Sequence, residues 1–212
     1  VTGVDRIERV DTEIPSPSEG EVLIEVAYSS VSPGTEMRCM AGRQPGVGFP
    51  FIPGYSQVGR IAARGPGVTL AEGTWVFSTG STKAGHPRSW GAHIAHAIKP
   101  AADVIPLPAG VDPLDASLAK LAAIPHRGVR LAQTRPHDQV AVVGLGPIGQ
   151  FAARLHHLTG ARVVAADLSA DRVALAKAAG IEAIIPSGGL KAAFEAVIPG
   201  GADVVVDSTG AL

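Results

Sequence analysis

At 212 residues, 46% of them hydrophobic, the chain is long enough to bury a proper core in one large domain or two modest ones. Its 18 basic and 19 acidic residues leave a formal charge of −1 and are spread along the sequence, so there is no electrostatic footprint for nucleic acid or an anionic membrane. The single cysteine, Cys39, excludes an intrachain disulfide and any cysteine-rich zinc cluster and fits a reducing cytoplasm; no stretch reads as a membrane span or a signal peptide.

Residues 1 to about 125 are rich in glycine, proline and short alternating runs, the pattern of many short strands joined by turns. A strand is expected over Glu21–Tyr28, after the turn-rich Pro15–Gly20. Further strands are expected over Gln57–Ala63, Thr74–Ser78, Ala92–Ile98 and Val104–Leu107, each bounded by Gly or Pro. Helical periodicity is scarce here, which predicts a compact β-barrel-like domain. From Asp112 to Leu131 the sequence turns Ala- and Leu-rich and reads as helix, placing a domain boundary near Ala122–Arg127. The two domains are accordingly 1–125 and 126–212.

The second domain is organised around Gln139–Asp167. Val140–Val143 is an uninterrupted apolar run rich in β-branched residues, as expected of a strand buried on both faces of a parallel sheet. Gly144, Gly146 and Gly149 follow directly, with Pro147 placed for a first helical turn and Ile148, Phe151, Ala152 and Leu155 at helical spacing. Such a turn seats a phosphate, because it permits close backbone approach and the helix start presents free N–H groups and the positive end of the macrodipole. Arg162–Ala166 is a second buried strand ending in Asp167. Ser169 can cap a helix whose inward face is Val173, Leu175, Ala176 and Ala179, stopped at Gly180. Ala183–Ile185, Leu190–Val197 and Asp203–Val206 continue the alternation, the last leading into Ser208 and Thr209 on the ligand-binding edge of the sheet.

A lone Gly-x-Gly-x-x-Gly is weak evidence, but here strand, turn, helix, second strand and terminal acid appear in order. Asp167 stands close to the ~20 residues expected between the glycines and the acid that binds the adenine ribose. The cofactor-binding set is therefore Gly144, Gly146, Pro147, Ile148, Gly149 and Asp167, with Arg172, Ser208 and Thr209 as neighbours. A carboxylate at Asp167 accepts bonds from both ribose hydroxyls and repels a 2′-phosphate, so NAD(H) is preferred over NADP(H). Arg172 lies close enough in sequence to weaken that preference, or serves as an ordinary solvated helix charge; Ser208 and Thr209 equally suit a turn or helix cap.

A β-rich domain followed by a nucleotide-binding domain opening with GLGPIG resembles the medium-chain dehydrogenase/reductase family. Pro15–Ile24 is similar to the family's early strand with its "GEVLI" entry, Ser32–Glu36 to "CGTD" and Pro53–Gly59 to "GHExxG". Gly73–Val76 is similar to "GDRV", and Ser89–His93 to "GGxAE". The resemblance implies a GroES-like domain, a doubly wound Rossmann domain, an active site between them and hydride transfer at a nicotinamide. Zinc-dependent members hold the metal with the Cys of CGTD, the His of GHE and a later Cys or Glu; aligned here, those places hold Pro33, Tyr55 and Ala119. Neither proline nor alanine offers a side-chain ligand, and a neutral phenol is a poor one. No zinc, catalytic or structural, is expected, and the chain resembles the zinc-independent branch, within it the bacteriochlorophyllide-type dehydrogenases.

Without a metal, the substrate oxygen still needs charge stabilisation and a proton. Tyr55 is the candidate hydrogen-bond donor, or a packing aromatic. Thr35 occupies the place from which family members pass a proton out, or closes a turn. Lys120, after the vacated third position, is a candidate oxyanion stabiliser or an ordinary helix lysine. Glu36 matches the family's supporting acid and is expected to pair with Arg38 or Arg60. The histidines make no obvious metal site: His93 and His96 would lie on opposite faces of a strand, His156 and His157 diverge on a helix, His86 reads as a solvated loop residue, and His126 as structural.

The expected function is an NAD(H)-dependent, zinc-independent oxidoreductase acting on a small-molecule alcohol or carbonyl compound, with no nucleic-acid or membrane partner. An NADPH-dependent quinone or enoyl reductase and a catalytically silent dinucleotide-binding protein are the alternatives. The family's remaining strands, which carry much of its subunit interface, would follow Leu212. The chain is therefore expected to be a fragment of a homo-oligomeric protein.

Overall fold

The computed structural model describes residues 1–84 and 90–210, so His86 and Ser89 lie outside the described residues. The chain divides into two compact units, Val1–Lys120 and Leu121–Leu212, just ahead of the expected boundary at 125/126.

In the first unit, β1 (Glu21–Ser29), β2 (Gln57–Arg64), β3 (Trp75–Ser78), β4 (His96–Pro100) and β5 (Ile105–Pro106) form an antiparallel sheet of order β4-β1-β2-β3-β5. β1 lies inside the sheet between β4 and β2, and its alternating Val22 and Ile24 are fully buried and meet Ile61, Val76, Ala97 and Val104 in one apolar cluster. Register shifts between Leu23 and Ile24 and between Val26 and Tyr28 disrupt the β1–β2 ladder locally and add twist. Three elements differ from expectation. Pro33–Met40 is a helix, α1, not part of a strand-and-turn pattern: Pro33 suits its first turn, and Glu36 reaches back to accept from the Ser32 N–H at 2.8 Å. The strand expected over Ala92–Ile98 begins only at His96, because the backbone at Ala92 and His93 bonds instead to Gly54 and Pro53. The strand expected over Val104–Leu107 shrinks to β5.

The helix expected from Asp112 to Leu131 is broken into α2 (Pro113–Ala116), capped by the Asp112 side chain, and α3 (Ala119–Ala132). α3 keeps Pro125 in its interior, and the division between the units falls in its first turn.

The second unit alternates β6 (Gln139–Val143), α4 (Pro147–His157), β7 (Arg162–Ala166), α5 (Ala170–Ala178), β8 (Glu182–Ile184), α6 (Leu190–Val197) and β9 (Val204–Asp207). Its strands are parallel, in the order β8-β7-β6-β9. The order reverses beside β6, and crevices for ligands form at such a switch point, outside the carboxyl ends of the strands. The helix faces are narrower than expected. On α5, Val173 and Ala176 are buried while Leu175 and Ala179 are exposed. On α4 the fully buried face is Gly149, Ala152, Ala153 and His156 with Gln150, while Ile148, Phe151 and Leu155 are half-buried. Small residues face the sheet here because the helix packs closely on it, and the larger apolar side chains flank that contact.

Candidate functional site

The glycine turn stands at the carboxyl end of β6, at the switch point. Gly144 has φ +86, a left-handed conformation that favours glycine, and an added Cβ would lie 3.1 Å from the Thr209 backbone nitrogen. Gly149, in the first turns of α4, has no room at all: a Cβ there would sit 1.8 Å from the Gly144 carbonyl oxygen and 2.5 Å from Ser208 Oγ. Gly146 is different. Its φ of −64 is open to any residue and a Cβ would meet nothing within 4 Å, so nothing inside the described chain requires glycine. An open face at the helix start, beside the unsatisfied N–H groups of the first turn, fits a pyrophosphate approaching from outside. Pro147 and Ile148 open α4, as the sequence predicts.

Asp167 follows β7 directly. Its carboxylate accepts from the Leu145 N–H at 2.6 Å and the Ser169 N–H at 2.8 Å, and lies 3.5 Å from the Arg172 guanidinium. Burial pushes this carboxyl up, but the Ser169 and Leu145 N–H groups and Arg172 outweigh it and hold the pKa below the ordinary carboxylate range. One side chain thus fixes the glycine turn and the start of α5, and Oδ1, which accepts only from the Ser169 N–H, keeps a lone pair for a further donor. Arg172 is largely exposed beside it. Ser208 Oγ lies 2.7 Å from the Gly144 carbonyl and 3.0 Å from that of Val143, tying β9 to the turn. Thr209 bonds back to Asp207 through both its N–H and its hydroxyl.

In the first unit, α1 holds Thr35, half-buried, and Glu36, buried. Tyr55 is half-buried and packs edge-on against Trp90, ring centroids 5.4 Å apart. Lys120 is exposed. Glu36 does not pair with Arg38 or Arg60. Its Oε2 lies 2.7 Å from His93 Nε2, and His93 Nδ1 lies 2.9 Å from Ser29 Oγ. Arg60 is drawn away, over the Trp75 ring at 4.4 Å and donating to the Gly73 carbonyl at 3.0 Å. The chain separation of Glu36 and His93 hid this pair, and placing His93 on a strand obscured it further.

The other histidines are dispersed. His156 is 1% exposed and bonds Thr134 Oγ1 at 2.9 Å, and its desolvation lowers its pKa; His96, His137 and His157 are exposed. His126, expected to be structural, is also exposed, on the α3 face carrying Arg127 and Arg130. Cys39 is buried, and desolvation, with Glu36 nearby, raises its pKa. Among the described residues no three His, Cys, Asp or Glu side chains converge as metal ligands, and Pro33 and Ala119 supply no donor atoms, so this donor set does not fit a catalytic zinc. No helix among them is long and apolar enough to cross a membrane.

The fold is that of solved alcohol dehydrogenases: a GroES-like antiparallel unit, and a parallel-sheet unit with its glycine turn at the switch point. Residues 18–109 match the family model for the alcohol dehydrogenase GroES-like domain, and residues 147–212 match that for zinc-binding dehydrogenase. The chain is 32% identical over 180 residues to L-galactonate-5-dehydrogenase of Escherichia coli, spanning 76% of this chain and 52% of that protein. It is 30% identical over 152 residues to 2-desacetyl-2-hydroxyethyl bacteriochlorophyllide A dehydrogenase of Cereibacter sphaeroides, spanning 68% and 47%. Among solved structures, the cobalt- and zinc-bound thermostable alcohol dehydrogenase of Pyrobaculum aerophilum superposes with a TM-score of 0.80 at 27% identity, covering 100% of this chain and 69% of that one. These matches support the medium-chain dehydrogenase/reductase family for this chain, which spans about half the length of these two curated relatives.

Proposed function

We propose that the chain belongs to an NAD(H)-dependent oxidoreductase that interconverts a small-molecule alcohol and its carbonyl compound without a catalytic zinc. One observation carries the reading: Asp167 is fixed at the end of β7, holding by its own hydrogen bond the turn whose open glycine, Gly146, heads α4. Gly146 leaves space for the pyrophosphate, the first turn of α4 supplies N–H donors to it, and Asp167 accepts from the adenine ribose. Bound NADH or NAD+ supplies or takes the hydride. The residues facing the reacting oxygen must then manage its charge and proton, and Tyr55 and Thr35 are the candidates by resemblance, with Lys120 third. The zinc-free part of the reading rests on the donor chemistry of Pro33, Tyr55 and Ala119, not on any property of the relatives. Cytoplasmic placement rests on the single cysteine, and a homo-oligomer on the family resemblance.

Arg172, 3.5 Å from the Asp167 carboxylate, favours a second reading in which a 2′-phosphate is tolerated. Fluorescence titration of the full-length protein with NADH and with NADPH separates the two, alongside metal analysis of the purified protein. Tighter NADH binding and substoichiometric zinc are expected. Tighter NADPH binding overturns the role given to Asp167, and stoichiometric zinc that sustains turnover overturns the metal-free chemistry.

A further inference from the structure

Charge is balanced over the whole chain but not along it. Between Asp115 and Asp138 the sequence carries Lys120, Arg127, Arg130 and Arg135 and no acidic residue. Arg127 and Arg130 share one face of α3 with His126 and Leu131, because residues three and four apart on a helix are neighbours. All four side chains are exposed, Leu131 at 72%, and together they line an open cavity of about 440 Å³ on the second unit.

Ordinary solvation does not account for this face. The macrodipole favours a cation in the last turn of α3, where Arg130 stands, but Arg127 lies earlier and has Arg130 as its i+3 neighbour, a like-charge pairing that opposes helix formation. No acid stands three or four residues from either: Ala123, Ile124 and Leu131 flank Arg127, and His126, Gln133 and Thr134 flank Arg130. Among the described residues, neither guanidinium is paired with a carboxylate. Two unpaired guanidiniums beside an imidazole, at the mouth of a cavity, are donors without an acceptor.

The donor set suits a phosphate group. Each guanidinium presents a planar fork that matches phosphate oxygens, the imidazole adds a third donor, and a phosphomonoester brings up to two negative charges to two cations. The cavity exceeds what a bare phosphate needs and falls within the ~300–1,000 Å³ of small-molecule sites, and Leu131 gives it an apolar wall. It is also apart from the glycine turn: the chain passes from the last turn of α3 to the amino end of β6, whereas the turn stands at the carboxyl end.

We propose that the α3 face formed by His126, Arg127, Arg130 and Leu131 is a binding site for a small phosphomonoester with an apolar body, separate from the cofactor's phosphate seat. The guanidiniums and His126 take the phosphate oxygens, and Leu131 covers the apolar group. This does not rest on the oxidoreductase reading.

The test is calorimetric titration of the full-length protein with phenyl phosphate, inorganic phosphate and benzoate. Phenyl phosphate is expected to bind saturably and tighter than either of the others. Arg127→Gln and Arg130→Gln are each expected to weaken it about tenfold or more, the value of one charge-assisted hydrogen bond. Gly146→Ala, which alters the proposed cofactor seat, is expected to leave it within about twofold of wild type. Both arginines are exposed, so the variants should fold. If the urea midpoint of either falls, Arg127→Lys and Arg130→Lys keep the charge and remove the fork, and a weaker complex is again expected. Absence of saturable binding up to about 10 mM phenyl phosphate, binding that both arginine substitutions leave unchanged, or binding that Gly146→Ala abolishes overturns the site. Benzoate binding as tightly as phenyl phosphate overturns the choice of phosphate, and inorganic phosphate binding as tightly overturns the apolar body.

Discussion

The two glycines of the turn make opposite demands, and alanine at each separates folding from binding. At Gly149 the new methyl carbon would stand 1.8 Å from a backbone carbonyl oxygen, which cannot retreat without moving the end of β6. Overpacking of that kind costs about 1–3 kcal/mol and more where backbone must shift, so Gly149→Ala is expected to lower the urea midpoint clearly. At Gly146 the methyl meets nothing, and φ −64 suits alanine. Losing glycine at a helix N-cap costs up to about 1 kcal/mol, and the smaller unfolded-state entropy returns about 0.4–1, so stability should be nearly unchanged. The methyl nevertheless occupies the space proposed for the pyrophosphate. NADH binding by fluorescence titration is then expected to weaken at least about tenfold, ~1.4 kcal/mol. A Gly146→Ala protein that unfolds at the wild-type urea midpoint and binds NADH with wild-type affinity would refute the assignment of this turn as the phosphate seat.

Asp167→Asn keeps the shape and removes the charge. It is expected to weaken NADH binding by about 1.5–3 kcal/mol, the value of a charge-assisted bond, and to move the NADH to NADPH preference towards NADPH; an unchanged preference would discredit the ribose assignment. His156 has its pKa lowered by burial, so below the ordinary imidazole value of 6.5 the unfolded chain takes up a proton that the folded one refuses. Stability should be level above that pH and fall below it, by at most ~1.4 kcal/mol per pH unit for one proton, and His156→Gln should remove this component from urea titrations at pH 7.5 and 5.5. Tyr55→His restores one imidazole at a family ligand position, but Pro33 and Ala119 still contribute nothing. Equilibrium dialysis against micromolar zinc should leave this variant without stoichiometric metal, and tight one-to-one uptake would show that the site recruits ligands elsewhere.

Most of the second unit was legible in the sequence because its signals are local. An apolar strand, a glycine turn, a helix and an acid follow one another within Gln139–Asp167, and each is fixed by its neighbours in the chain. The misplaced parts depended on contacts distant in sequence. α1 was hidden because Ser32-Pro33-Gly34-Thr35 reads as a turn until Glu36 closes back on the Ser32 N–H. His93 looked like a strand residue because the Gly54 and Pro53 carbonyls that hold its segment out of β4 are far away in sequence. The inward face of α5 is narrower than its periodicity for a related reason, since apolar spacing marks Leu175 while burial reaches only Val173 and Ala176.

Glu36 shows how the departures from the metal-binding pattern fit together. In the family pattern an acid at this place supports a metal-bound imidazole, and with Tyr55 in that imidazole's position the carboxylate would be left buried without a cationic partner. Here both carboxylate oxygens of Glu36 are hydrogen-bonded, one to the Ser32 N–H at 2.8 Å and the other to His93 Nε2 at 2.7 Å, and His93 stands at the position of the Glu in the family's "GGxAE" strand. Leaving a buried polar group without a partner costs about 1–3 kcal/mol, so the change at Tyr55 and the imidazole at His93 belong together: the second supplies the partner that the first takes away.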